Sequence, residues 1–196
     1  MITIDKPLIS KKTYEYCLTA WNILKSNYYR WHSKLSVDAE RSIARMFYQC
    51  VFDSYADRTM FSTFPVRNPG KKIIGMTDDH FMVPQTVAKF VMESPEILNS
   101  YDEFESIFIA CRKTILVTPE ENKLLAKLTR KQPVLTKDKY HHLGIELYHG
   151  RVKLPEENQV LPVPKLFDEW EQKFIKNNFR STVVYTESKP NLDEFF

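Results

Sequence analysis

Cysteine is scarce in this chain: three in 196 residues, Cys17, Cys50 and Cys111, odd in number and far apart. Thiols so placed exclude a disulfide framework and a zinc site built on cysteine knuckles. Two of them lie on apolar helix faces and are expected in the core. Long apolar runs are missing too. Nowhere do roughly 18 uncharged apolar residues follow one another, and the opening Met-Ile-Thr-Ile-Asp-Lys-Pro has neither a basic stretch nor a long apolar one. The expectation is a protein without membrane contact, in the cytoplasm of a bacterium or of a phage-infected host. Charge of one sign is also in short supply: 28 Lys and Arg against 25 Asp and Glu leave +3, too little to establish a polyanion partner.

What is present is core material, 43% hydrophobic and 13% aromatic residues, enough for a compact unit with an appendage. In the first third, Tyr14, Cys17, Leu18, Trp21, Leu24, Tyr28 and Trp31 recur at intervals of three and four, which predicts one amphipathic helix. Ser36 would cap a second, with Ile43, Phe47, Cys50 and Val51 on its face. The two predict a helical hairpin over 1–66. Within it, Tyr28-Tyr29-Arg30-Trp31-His32 interleaves aromatic and basic side chains. Such a run packs a core or, where exposed, stacks on single-stranded bases.

Arg67-Asn68-Pro69-Gly70 reads as a turn and a boundary. Beyond it, Ile73-Ile74 leads into Asp78-Asp79-His80 and on to Pro84-Gln85. Some 30 residues later, Lys113-Thr-Ile-Leu-Val-Thr-Pro-Glu-Glu-Asn122 reads as strand, proline turn and helix, with Asn122 in the first helical turn. Hydrolysis of a phosphodiester by a single hard cation needs oxygen ligands and a group that takes a proton from water. Asp79, Asn122 and His80 are of the types that fill those roles. A plainer reading stands beside this one. Asp78 or Asp79 would cap a helix starting at Pro84, and Thr118-Pro119-Glu120-Glu121 is a good helix start without any catalytic duty for Asn122.

The run Asp78-Asp79-His80-Phe81-Met82-Val83-Pro84-Gln85 resembles the Asp-x-Asp-His-x-x-Pro-Gln segment in the HNH domain of RNA-guided nucleases, and more loosely the first strand of HNH, or ββα-metal, endonucleases. The nine-residue step from Lys113 to Asn122 is similar to the family's spacing between second strand and helix. Here three residues rather than two separate His80 from Pro84, Lys113 stands where Asn is common, and no Cys-x-x-Cys pairs occur. The resemblance covers about a quarter of the chain. It implies a DNA endonuclease with Asp79 and Asn122 on Mg²⁺ (or Mn²⁺) and His80 as general base. Lys72, Arg112, Lys113 and Lys123, with neighbouring Lys71 and Lys127, cluster around these segments and are candidates for phosphate contact. Nearby carboxylates offset much of this charge.

Between the two segments, 87–92 and 104–111 read as helices separated by Asn99-Ser100. Farther on, His141, His142 and His149 invite a metal, but adjacent histidines diverge on either regular structure, so ordinary hydrogen bonding is the better reading. Pro155, Pro162 and Pro164 suggest a linker, Phe167, Trp170 and Phe174 the face of a helix, and 181–186 a short strand. Lys189-Pro-Asn-Leu192-Asp-Glu-Phe195-Phe196 resembles the sliding-clamp-binding peptide Gln-x-x-Leu-x-x-Phe-Phe, with Lys in place of Gln. That implies a DNA polymerase clamp as partner, gripped by Leu192, Phe195 and Phe196. The expected architecture is α+β and mainly helical: a helical module at 1–66, an HNH-like ββα core with a helical insertion at 67–132, an extension at 133–187, and a tail at 188–196. Two functions fit it. One is a metal-dependent endonuclease, the other a non-catalytic DNA-processing or transcription accessory protein that keeps a decayed nuclease scaffold and docks on a clamp.

Overall fold

The structure, a computed structural model, describes residues 10–32, 38–54, 56–131 and 133–178, with the backbone alone for 28–32, 38–41, 129–131 and 157. The fold is α+β and mainly helical, as expected. Two helices, α1 (Lys11–His32) and α2 (Asp38–Asp53), precede strand β1 (Asp57–Ser62). Strand β2 (Thr77–His80) is followed by α3 (Pro84–Glu93), a 3₁₀ turn (Pro95–Asn99) and α4 (Tyr101–Arg112). Then come β3 (Lys113–Val117), α5 (Pro119–Lys131), the short α6 (Lys139–His142), the hairpin β4 (Tyr148–His149) and β5 (Val152–Lys153), and α7 (Lys165–Asn178).

Among the described residues five strands form one sheet in the order β2-β3-β1-β4-β5, with β3 parallel to β1 and the other pairs antiparallel. Thr114 to Val117 are all buried, so β3 is covered on both faces, whereas every residue of β2 is half-buried at an edge. The β4–β5 hairpin turns on Gly150-Arg151, with Gly150 at φ 63, the left-handed conformation that glycine adopts without a Cβ penalty.

One hydrophobic core runs from Cys17 and Leu24 of α1 through Tyr48 and Phe52 of α2, Phe90 of α3 and Phe104 and Phe108 of α4 to Phe167 of α7. The described parts of the segments 1–66, 67–132 and 133–187 therefore share one core and one sheet, with β1 supplied by the first and β4 and β5 by the third. The helical insertion, α3 and α4, packs against α1 and α2. Trp21 Nε1 donates to the Leu98 carbonyl at 3.0 Å, and the Trp21 ring meets Tyr101 edge-on. Ser100 starts α4 by accepting from the Glu103 N–H, which explains the break expected at Asn99-Ser100.

Both N-terminal helices turn a slightly different face inward than their large residues suggest. On α1 the buried stripe is Thr13, Cys17, Ala20 and Leu24, while Tyr14 is 45% exposed. On α2 it is Ala44, Tyr48 and Phe52, which leaves Ile43 and Cys50 exposed. The cysteines in the core are thus Cys17 and Cys111. Small residues, Ala20 on α1 and Ala44 on α2, share the inward stripes with larger ones, which lets α1 and α2 approach α4 and α3 closely. No helix among the described residues is long and apolar enough to cross a membrane.

Candidate functional site

Strands β2 and β3 pair in continuous antiparallel register, Thr77 with Val117, Asp78 with Leu116, Asp79 with Ile115 and His80 with Thr114. Helix α5 follows β3 after one residue and contacts β2. This is the strand, strand, helix order expected, with the insertion between the strands. Successive side chains on a strand point to opposite faces, so Asp78 and His80 share one side of β2 and Asp79 the other.

On the Asp79 side the carboxylate is already held. Lys139 Nζ donates to Asp79 Oδ2 at 2.7 Å and to the His80 carbonyl at 2.6 Å, and the Tyr140 hydroxyl donates to the same Oδ2. The Lys139 and Asp79 side chains are 3% and 14% exposed. Both donors sit on α6, which packs against α5. Burial, aided by the Asp79 charge, pushes the Tyr140 phenol well above its ordinary range, so it stays protonated and donates.

Asn122 lies half-buried in the first turn of α5, its N–H bonded to the Thr118 carbonyl at 3.0 Å. That turn is a capping box: Thr118 Oγ1 accepts from the Glu121 N–H at 3.2 Å, and Glu121 Oε2 accepts from the Thr118 N–H at 2.9 Å. Glu121 also accepts from the Thr63 hydroxyl, which ties α5 to the end of β1.

On the other side, His80 Nδ1 lies 3.2 Å from the Cys111 carbonyl, and Nε2 lies 3.4 Å from Asp53 Oδ1 at the end of α2. A carbonyl only accepts, so Nδ1 carries the hydrogen; Nε2 faces a carboxylate, which also only accepts, and donates to it when the ring is protonated. Asp78 is gripped by Arg58, from Nε at 2.8 and 2.9 Å and from Nη2 at 2.6 Å. Neither aspartate caps α3, whose cap residue is Val83, without a side-chain bond and with Pro84 at the helix start.

Asp79 and Asn122 are the oxygen donors a hard cation would use. In the structure the ammonium of Lys139 holds the Asp79 oxygen, and His80 leaves β2 from the opposite face. Among the described residues no group of three or more His, Cys, Asp or Glu side chains could hold a metal ion. The phosphate candidates divide. Lys72, Lys113 and Lys123 are exposed. Arg112 is 1% exposed, donates to the Phe52 carbonyl and lies over the Phe108 ring at 5.5 Å, so it belongs to the core and does not reach a phosphate at the surface.

The three histidines have different surroundings. His141 is exposed, the His149 ring lies tilted beside that of Phe61 with centroids 5.6 Å apart, and the half-buried His142 is pushed toward the neutral form, mainly by burial. Leu192, Phe195, Phe196, the strand expected at 181–186 and the Ser36 cap lie outside the described residues, as do the side chains of Tyr28 to His32.

Sequence reading missed Lys139, Tyr140, Arg58 and Asp53. Lys139 and Tyr140 stand next to the His141-His142 pair but carry no local signal of their own, because Asp79 lies 60 and 61 residues earlier. Arg58 and Asp53 have none, because their partners lie 20 or more residues away in the chain. Compared with protein-family profiles, with curated proteins and with solved structures, the chain matches none.

Proposed function

We propose that the chain is a DNA-associated accessory protein built on a nuclease-like ββα unit, in which the ammonium of Lys139 takes the place of a divalent cation at Asp79. The observation that carries this reading is the buried contact of 2.7 Å between Lys139 Nζ and Asp79 Oδ2. A carboxylate paired with a fixed ammonium and hydrogen-bonded by a phenol has little left to offer a hydrated cation, which must shed water in order to bind. The DNA side of the reading rests on the resemblance of 78–85 to HNH nucleases and on the exposed Lys72, Lys113 and Lys123. Recruitment by a sliding clamp through Leu192, Phe195 and Phe196 belongs to the same reading.

Binding to a short labelled duplex over a range of salt tests the DNA claim. Affinity should fall steeply with salt, and loss of Lys72, Lys113 or Lys123 should flatten that slope. An affinity indifferent to salt would count against it. Deleting 189–196 should abolish capture by an immobilised clamp and leave duplex binding intact.

A second reading, a Mg²⁺- or Mn²⁺-dependent HNH-type endonuclease, is favoured by the tautomer of His80. With Nδ1 on the Cys111 carbonyl, Nε2 of the neutral ring is the nitrogen that would accept a proton. Incubating supercoiled plasmid with the protein and either cation separates the two readings. The accessory protein leaves the plasmid supercoiled, and the endonuclease nicks it in a manner lost in His80→Ala.

A further inference from the structure

The loop entering β2 carries cations without a single anion. From Arg58 to Thr77 the chain holds Arg58, Arg67, Lys71 and Lys72 and no Asp or Glu. Arg58 is engaged by Asp78, which leaves the exposed Arg67, Lys71 and Lys72. Beside them Ile74 is 96% exposed.

Two successive turns fix this arrangement. The Lys71 N–H donates to the Asn68 carbonyl at 3.3 Å around Pro69-Gly70, and the Met76 N–H donates to the Ile73 carbonyl at 3.2 Å around Ile74-Gly75. Gly75 has φ 83, the sign required at the third position of a type II turn, with no atom near the place of a Cβ. The loop is also tied down at its base, with Pro69 buried and the Val66 N–H donating to the Gly150 carbonyl at 2.9 Å. Single exposed apolar side chains are ordinary on protein surfaces. Ile74 differs in being wholly exposed at the second position of a defined turn, with cations and no carboxylate on its own loop.

We propose that this loop is a wedge for duplex DNA. Arg67, Lys71 and Lys72 contact phosphates, and Ile74 enters between base pairs at a step that is already poorly stacked, such as a nick or a mismatch. The proposal rests on the DNA-associated reading above and names the element that would meet the duplex. An anionic membrane offers a similar pairing of charge and apolar depth. One protruding side chain suits a single base step, whereas stable membrane binding takes a larger apolar area, and Ile73 and Met76 on either side are half-buried.

Fluorescence anisotropy with matched, nicked and mismatched duplexes of one sequence, using wild type, Ile74→Ala and Lys71→Ala/Lys72→Ala, tests the wedge. Ile74 touches nothing that holds the fold, so its replacement should leave the melting temperature unchanged. Wild type should bind the nicked or mismatched duplex about tenfold more tightly than the matched one. Ile74→Ala should lose that preference and keep its affinity for matched duplex. The double lysine variant should weaken on all three, with a salt slope lower by about two. Binding by wild type with no preference, or a preference untouched in Ile74→Ala, overturns the wedge and spares the DNA reading. No binding to any duplex overturns both. Binding to phosphatidylserine vesicles that depends on Ile74, without a duplex preference, overturns the wedge in favour of a membrane.

Discussion

Asp78 and Asp79 are neighbours on one strand, carry the same side chain and each meet one cation, yet they do different things to the molecule. Asp78 faces the side where Arg58 reaches it, and both side chains keep about a third of their surface in water, 29% and 32%. Asp79 faces the side closed by α5 and α6, where Lys139 is 3% exposed and Tyr140 adds a second donor. A pair near solvent exchanges one set of favourable contacts for another and contributes little. A buried pair is different, because either member left alone is a bare charge in a medium that solvates it poorly. One step along a strand thus separates a pair that solvent still reaches from one that it does not.

The largest effect should come from separating the buried pair. Lys139→Met keeps the chain length but strands the Asp79 carboxylate, and urea unfolding should show a loss of about 3–5 kcal/mol. Adding Asp79→Asn should return a substantial part of that loss, since the uncompensated charge is then gone. A cost below about 1 kcal/mol for Lys139→Met would mean that this pair is as well solvated as its neighbour.

Glu171 on α7 sharpens the comparison, because it is a buried carboxylate held without a cation among its hydrogen bonds. It is 4% exposed and accepts from the Thr136 N–H at 2.8 Å and from the Thr136 hydroxyl. Burial outweighs those bonds and pushes its carboxyl from 4.5 up to about 7. The folded chain therefore holds this proton more tightly than the unfolded one. The associated stability is full below about pH 4.5 and is lost as pH rises through about 7, amounting to about 3 kcal/mol at most. Urea unfolding across that window should show this decline in wild type and lack it in Glu171→Gln. Equal slopes in the two proteins would place the titration elsewhere.

The smallest effect belongs to the half-exposed pair. Arg58→Ala or Asp78→Ala should cost no more than about 1 kcal/mol in thermal or urea unfolding, and salt should shrink that cost. A larger, salt-insensitive loss would move this pair into the buried class.

Much of the layout around β2 was legible because its signals are local. Thr118 and Glu121 form a capping box within four residues, Ile115 to Val117 are apolar in succession, and Phe167, Trp170 and Phe174 repeat at helical spacing; each announces its element without a distant partner. Strand β1 was not legible. Asp57 to Ser62 is short and mixed, and it is a strand because β3, more than 50 residues later, pairs with it. The inner faces of α1 and α2 were displaced from expectation for a related reason: close packing selected Ala20 and Ala44, and a pattern that weighs only large side chains passes over them. Beside Lys113, Arg112 is expected at the surface, yet it ends a helix on the buried side while Lys113 begins a strand on the exposed one. At the candidate site, residue types at 79, 80 and 122 suggested convergence. The regular register of β2 sends 79 and 80 apart, and Lys139, 60 residues from Asp79, closes one of the two sides.

The most direct measurement is a titration of the metal-free protein with Mn²⁺, followed by the electron paramagnetic resonance of the free ion, in wild type, Asp79→Asn and Lys139→Met. If Lys139 holds the place of a cation, wild type and Asp79→Asn should leave the same amount of Mn²⁺ free. Only Lys139→Met, with its carboxylate released, should gain a site. One equivalent bound by wild type and lost in Asp79→Asn would contradict the account and return Asp79 to the role of a metal ligand.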